Sequence, residues 1–297
     1  MMRGRTLAVW LTLACCAWPA VAAPPGGNSC TVAATNINFG TFSGTAIAIT
    51  GTITVKCTKN LNYDIGIDAG TGTGATVTSR FMKGGPPPGN SLLGYGLFQD
   101  AAHSVNWGET VGTDTVSGTG TGNNQTFSVY ALLPSNEYAP AGGYHDPTVN
   151  VYVSGSGFTT ATNHFNVNAT VSKACNIAAS SLNFGVYSGA LINSSSTISV
   201  TCTNTTAYDV GLDAGTATGA TVTSRSMTGP NAYLLGYKLF RDSNRTLNWG
   251  NTAGSDTVSG TGTGLVQTVS VYGQVPAGQT GQPPGSYSDT ITATITY

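Results

Sequence analysis

The chain has 297 residues, enough for about two domains at ~100–200 residues each. Only 8% are charged and 40 are glycine, so there is little Lys, Glu or Arg for long surface helices, and the glycines follow no Gly-X-Y period, which excludes collagen. A net charge of −1 offers nucleic acid no electrostatic footprint, and 40% apolar residues are too many for a disordered tail; an all-β, turn-rich protein remains.

Arg3 and Arg5 precede an apolar run, Thr6 to Trp18, that is too short to span a bilayer. Ala20-Val21-Ala22 fits a small-residue cleavage site, so residues 1–22 are expected to be a signal peptide removed on export. Lipid attachment at Cys15 or Cys16 is disfavoured, because Leu13-Ala14 fits the attachment motif poorly. Beyond the signal, Cys30, Cys57, Cys175 and Cys202 allow three pairings. Two equal spacings of 27 residues favour Cys30–Cys57 and Cys175–Cys202. An exported chain meets an oxidising compartment, so both bonds should form. Each would stabilise its domain by roughly 3–4 kcal/mol in the chain-entropy picture.

The rest is one unit used twice. CTVAATNINFGTFSG from Cys30 matches CNIAASSLNFGVYSG from Cys175. Tyr63 to Gly70 (YDIGIDAG) matches Tyr208 to Gly215 (YDVGLDAG), ATVTSR recurs at Ala75 and Ala220, and TVSGTGTG recurs at Thr115 and Thr257. Within each copy, short runs alternate with period two and end at Gly, Asn or Asp, as half-buried antiparallel strands do. Ile53, Val55 and Cys57 face one way, and Tyr63, Ile65 and Ile67 repeat the pattern. Ile291, Ala293, Ile295 and Tyr297 predict a last strand. Several strands at close spacing predict two tandem sandwiches.

Between the copies, Phe165, Val167, Ala169 and Val171 alternate with Asn166, Asn168 and Thr170. This predicted strand has no counterpart before Cys30, where Ala23 to Ser29 is rich in Pro and Gly. The expected organisation is a first domain over 23–158, a linker with a candidate donor strand over 159–173, and a second domain over 174–297.

An ordered set of motifs carries a resemblance. Each copy has a Cys near its start, NFG, a second Cys, a Tyr-Asp-x-Gly-x-Asp-Ala-Gly strand, Arg-x-Met (Arg80, Met82; Arg225, Met227), Leu-x-Tyr ahead of Trp-Gly (Trp107, Trp249), and a late Tyr-x-Asp (Tyr144, Asp146; Tyr287, Asp289). In this the chain resembles the spore coat protein U domain family, which includes subunits of archaic chaperone–usher pili and spore coat components. The resemblance implies immunoglobulin-like, pilin-type sandwiches that lack a final strand. It also implies a periplasmic chaperone that fills the gap first, an outer-membrane usher, and a neighbouring subunit whose donor strand then replaces the chaperone. The physics is β-augmentation: main-chain bonds along an open edge, with alternate side chains entering the core.

On that reading Phe165 to Val171 fills the first domain's groove within the chain, contributing roughly 5–8 kcal/mol as an upper figure. The second domain then awaits an outside strand, and a chain that receives but does not donate belongs at a fibre tip, exported through the periplasm to the cell surface. Differences between the copies suggest an adhesive surface for abiotic or host material: Leu132, Leu133 and Tyr138, then Ile47 and Ile49. Supporting attachment and biofilm is the expected role. The rivals are a spore-coat or surface-layer component and a two-module carbohydrate-binding protein. No cofactor, metal site or catalytic set is expected. His103, His145 and His164 are scattered, and the Gly-Thr-Gly runs lack the Lys of a phosphate loop. The repeated Asp68/Asp213, Asp100/Asp242 and Asp114/Asp256 suggest turn capping. Arg80 and Arg225 suggest an ion pair with a repeated Asp.

Overall fold

The structure, a computed structural model, describes residues 27–135 and 138–297. The expected signal peptide lies outside the described residues. The first half forms β1 (Cys30–Ala34), β2 (Ile37–Phe42), β3 (Ile47–Cys57), β4 (Asn62–Ile67), β5 (Arg80–Gly84), β6 (Ser91–Phe98), β7 (Val116–Thr119), β8 (Gln125–Leu133), β9 (Gly142–Ser154) and β10 (Ala161–Val171). The second half forms β11 (Cys175–Ala179), β12 (Ile192–Cys202), β13 (Ala207–Leu212), β14 (Arg225–Thr228), β15 (Leu234–Phe240), β16 (Val258–Thr261), β17 (Val266–Val275) and β18 (Ala293–Thr296).

Period-two alternation becomes burial as the sequence predicts. In β3, Ile53, Val55 and Cys57 are buried while Lys56 faces out. Tyr63, Ile65 and Ile67 of β4 enter the same core. Cys30–Cys57 and Cys175–Cys202 are both bonded, tying β1 to β3 in the first domain and β11 to β12 in the second.

In the first domain the ladder runs β1-β3-β8-β6-β5-β9-β10-β2, with β4 joining β9 to β7. The strands close into one wrapped sandwich, because β5 pairs with both β6 and β9. The second domain repeats the order but separates into two sheets, β11-β12-β17-β15-β14 and β16-β13-β18. Only an isolated bridge, Thr228 to Ser288, links the segment before β18 to β14.

Two repeated interactions hold each core in place. The Trp107 indole N–H donates to Ile65 O at 3.0 Å, and that of Trp249 to Val210 O at 2.8 Å. Both rings are buried, so neither can stack on a sugar. The Arg80 guanidinium donates to the carbonyls of Asp68, Val77, Ile67 and Trp107; Arg225 repeats this with Asp213, Val222, Leu212 and Trp249. The expected Asp ion pair is thus corrected: backbone carbonyls satisfy this buried donor fork. Burial lowers both arginine pKa values from the ordinary range.

Candidate functional site

The first domain shows what a closed groove looks like. β10 lies between β9 and β2, antiparallel to β9 (Phe165 opposite Val149, Val171 opposite Gly142) and parallel to β2 (Val167 opposite Ile37, Val171 opposite Phe42). Phe165, Val167, Ala169 and Val171 are all buried in the first core. Their neighbours Ile37, Phe39, Phe42, Met82 and Tyr144 are buried too.

The second domain has the same walls without that strand. Among the described residues, β18 has a strand neighbour, β13, on one side only. Residues 181–187, the counterpart of β2, form no strand. Leu182, Phe184, Tyr187, Met227, Tyr287 and Ile291 are only partly buried. A cleft of about 410 Å³ runs between Leu182, Phe184, Met227, Tyr287 and Ile291. It shares Leu182, Phe184, Met227 and Tyr287 with a wider cleft of about 950 Å³ that reaches Pro283 and Gly285. An apolar floor beside an edge of unpaired backbone is the chemistry that takes up an extended strand.

A polar lock lies at the middle of each groove. In the first domain the Asp146 carboxylate accepts from Tyr95 Oη at 2.8 Å, and from the Thr71 N–H at 3.0 Å and hydroxyl at 2.6 Å. It sits opposite Val167 and is 1% exposed. In the second domain Asp289 accepts from Tyr237 Oη at 2.7 Å, and from the Thr216 N–H and hydroxyl at 2.8 Å. Here the carboxylate lines the open cleft. Burial pulls its pKa up, but bonds from Thr216 and Tyr237 outweigh this and hold it below the usual value. Burial, reinforced by the acceptor Asp289, pushes the Tyr237 phenol up. Gly70 and Gly215 make room for the lock, since a Cβ at either would collide with the carboxylate. The repeated Tyr-x-Asp was visible in the sequence; its partners, 51 to 75 residues away, were not.

The other expected residues are dispersed. Ala293 and Ile295 belong to β18, but Ile291 and Tyr297 fall outside it. That corrects the longer predicted strand: a strand needs a ladder partner, and this edge has one only along part of its length. Leu133 is 0% exposed, in the first core, so its expected surface role is corrected. Leu132 is half-buried in β8, and Ile47 and Ile49 pack on the core. Tyr138 is exposed, but its ring lies against Gly264 of the second domain. With Ser43 to Thr45 it lines a cleft at the junction of the domains, not a free end. The repeated aspartates cap turns as expected: Asp100 accepts from the N–H groups of Ser104 and Val105, and Asp114 from that of Thr110. Among the described residues no group of three or more His, Cys, Asp or Glu is arranged to hold a metal.

The Spore Coat Protein U domain matches residues 20–151 and again 161–294. Protein U of Myxococcus xanthus is 37% identical over 155 residues, covering 46% of this chain and 86% of that protein. The solved CsuC–CsuE chaperone–tip adhesion subunit pre-assembly complex, from archaic chaperone–usher Csu pili of Acinetobacter baumannii, superposes with a TM-score of 0.53 at 18% identity. That alignment covers 91% of this chain and all of the compared one, and it shows a shared fold. The CupB6 tip adhesin of Pseudomonas aeruginosa aligns at 11% identity with a TM-score of 0.34, over 91% of this chain and 95% of its own. The chain belongs to the spore coat protein U domain family, in two tandem copies.

Proposed function

We propose that this protein is an exported, non-catalytic structural and adhesive subunit, of the tip type in an archaic chaperone–usher pilus, joined to its fibre by donor-strand complementation. One observation carries the reading: the same groove is closed by β10 in the first domain and open in the second. A periplasmic chaperone would cover the open groove in transit, an usher would pass the chain through the outer membrane, and a neighbouring subunit would supply the final strand. Residues 24–29, just before Cys30, lack the alternating apolar pattern of Phe165 to Val171, which supports placing the first domain at the fibre's end. Attachment to abiotic or host surfaces, and with it biofilm, then falls to the pole of the first domain far from the second. That pole is built from the exposed stretches 58–60 and 155–157. Co-expression with a periplasmic chaperone tests the reading: a stoichiometric complex, lost when Leu182 and Phe184 become Asp, supports it. Free monomer with no affinity for chaperone overturns it.

A second reading rests on the 37% identity to Protein U: the same strand-accepting domain would build a coat or surface layer. Isolation in a spore or envelope layer with no usher dependence would select it.

A further inference from the structure

The occupant of the second groove can be specified from the molecule's own first junction; this rests on the strand-accepting reading above. We infer that the contact between the two domains is a covalent copy of the contact the second domain makes with its neighbour. That neighbour would be a chain bearing a domain of this same kind, led by a strand with apolar residues at alternate positions.

The family unit itself points there. As sequence, the second copy starts at residue 161, the first residue of β10. As structure, β10 packs into the domain before it. The second copy is therefore a leading strand followed by a sandwich, and its leading strand completes the preceding sandwich.

The junction geometry is tight. Three residues, Ser172 to Ala174, separate the last inward side chain, Val171, from Cys175. Thr203, which directly follows the second cysteine of its domain, clamps them. Its hydroxyl donates to Ser172 O at 3.0 Å and accepts from the Ala174 N–H at 3.0 Å, and its own N–H donates to Ala174 O at 2.9 Å. Thr58 clamps Ser29 in the same way in the first domain, with its hydroxyl accepting the Ser29 N–H at 3.0 Å and its own N–H donating to Ser29 O at 3.0 Å. The clamp thus comes with each domain and does not depend on a domain upstream. A three-residue, hydrogen-bonded connection holds the disulfide pole of the second domain across a shared cleft from Ser43 to Thr45, with Tyr138 of the first domain against Gly264 of the second.

The second domain repeats the receiving surface. Ser188, Gly189 and Ala190 stand where Ser43, Gly44 and Thr45 stand in the first copy. The incoming strand would run antiparallel to residues 287–296 and parallel to 182–187, as β10 does against β9 and β2. Its chain would leave the groove beside Ser188 to Ala190, and its first cysteine would follow its last inward side chain by four positions.

The test fuses a second copy of residues 156–297 directly after Tyr297 of the full chain. Spin labels at Thr45→Cys and Thr201→Cys give the distance across the existing junction. Labels at Ala190→Cys and at Thr201→Cys of the added copy give it across the new one. The inference expects the two distance distributions to coincide, and the new one to broaden when six Gly/Ser residues are inserted after Val171 of the added copy. A thermal transition of the original second domain that rises, together with a different or broad distance before any insertion, overturns the junction copy and leaves the groove reading intact. An unmoved transition, with the added strand unprotected from protease, shows instead that the groove takes no strand, which defeats both.

Discussion

Residues 142–154 and 285–296 are the same stretch of the repeat under two conditions. The first is a thirteen-residue strand flanked by β10, with Tyr144, Val149, Val151 and Val153 buried. The second orders as a strand only over its last four residues, Ala293–Thr296, and leaves Tyr287, Ile291 and Ile295 partly exposed. The sequences are alike in pattern; the difference is a neighbour. Strand structure here is a property of the pair and not of the segment.

Removing the neighbour from the first domain should make the two halves alike. Phe165→Ser with Val167→Ser is expected to cost the first domain on the order of 5 kcal/mol, comparable to a whole domain's ~5–15 kcal/mol. Calorimetry should then show its transition lost while that of the second domain stays.

The converse change supplies the neighbour. Appending a copy of residues 156–171 after Tyr297 should raise the second domain's transition by about 10 °C or more, at ~3–5 °C per kcal/mol. No rise would break the comparison.

Cys175→Ser with Cys202→Ser should cost about 2–4 kcal/mol. Because the second domain starts with less buried core, it should unfold before a first domain lacking Cys30–Cys57, as read by denaturant midpoints.

Acid should also separate the halves. Asp289 has a folded pKa held below its usual value, so its stabilising contribution is full above the unfolded pKa of ~3.9 and fades as pH falls through the folded value. The second domain's transition should drop below about pH 4, and Asp289→Asn should flatten that drop in melts recorded from neutral to acid pH. The smallest effect is expected at Leu132→Ser, within about 1 kcal/mol and with no change in surface attachment, since that end of the first domain faces the second.

Much of this was legible in the sequence, for physical reasons. Alternation at Phe165 to Val171 encodes one buried face, and equal cysteine spacing encodes one bond used twice. Duplication also let each copy stand as a control for the other. The sequence misled where copies differ through contact with each other. The Leu132–Tyr138 region departs from its counterpart and looked like an adhesive loop, yet Leu133 fills the core and Tyr138 meets Gly264. Ile291 and Tyr297 have strand-like alternation, but alternation cannot supply a ladder partner. The Asp146 and Asp289 locks join residues 51 to 75 positions apart, a distance that no local pattern reports.

Hydrogen exchange on the intact chain compares the two halves most directly. The account predicts strong protection of amides in 143–153 and much weaker protection in 286–292, where Ser288 and Thr292 are the amides bonded to distant residues. A peptide of residues 161–171 should slow exchange in 286–292 and leave the first domain unchanged. Equal protection of both stretches in the free chain, with no response to the peptide, would contradict it.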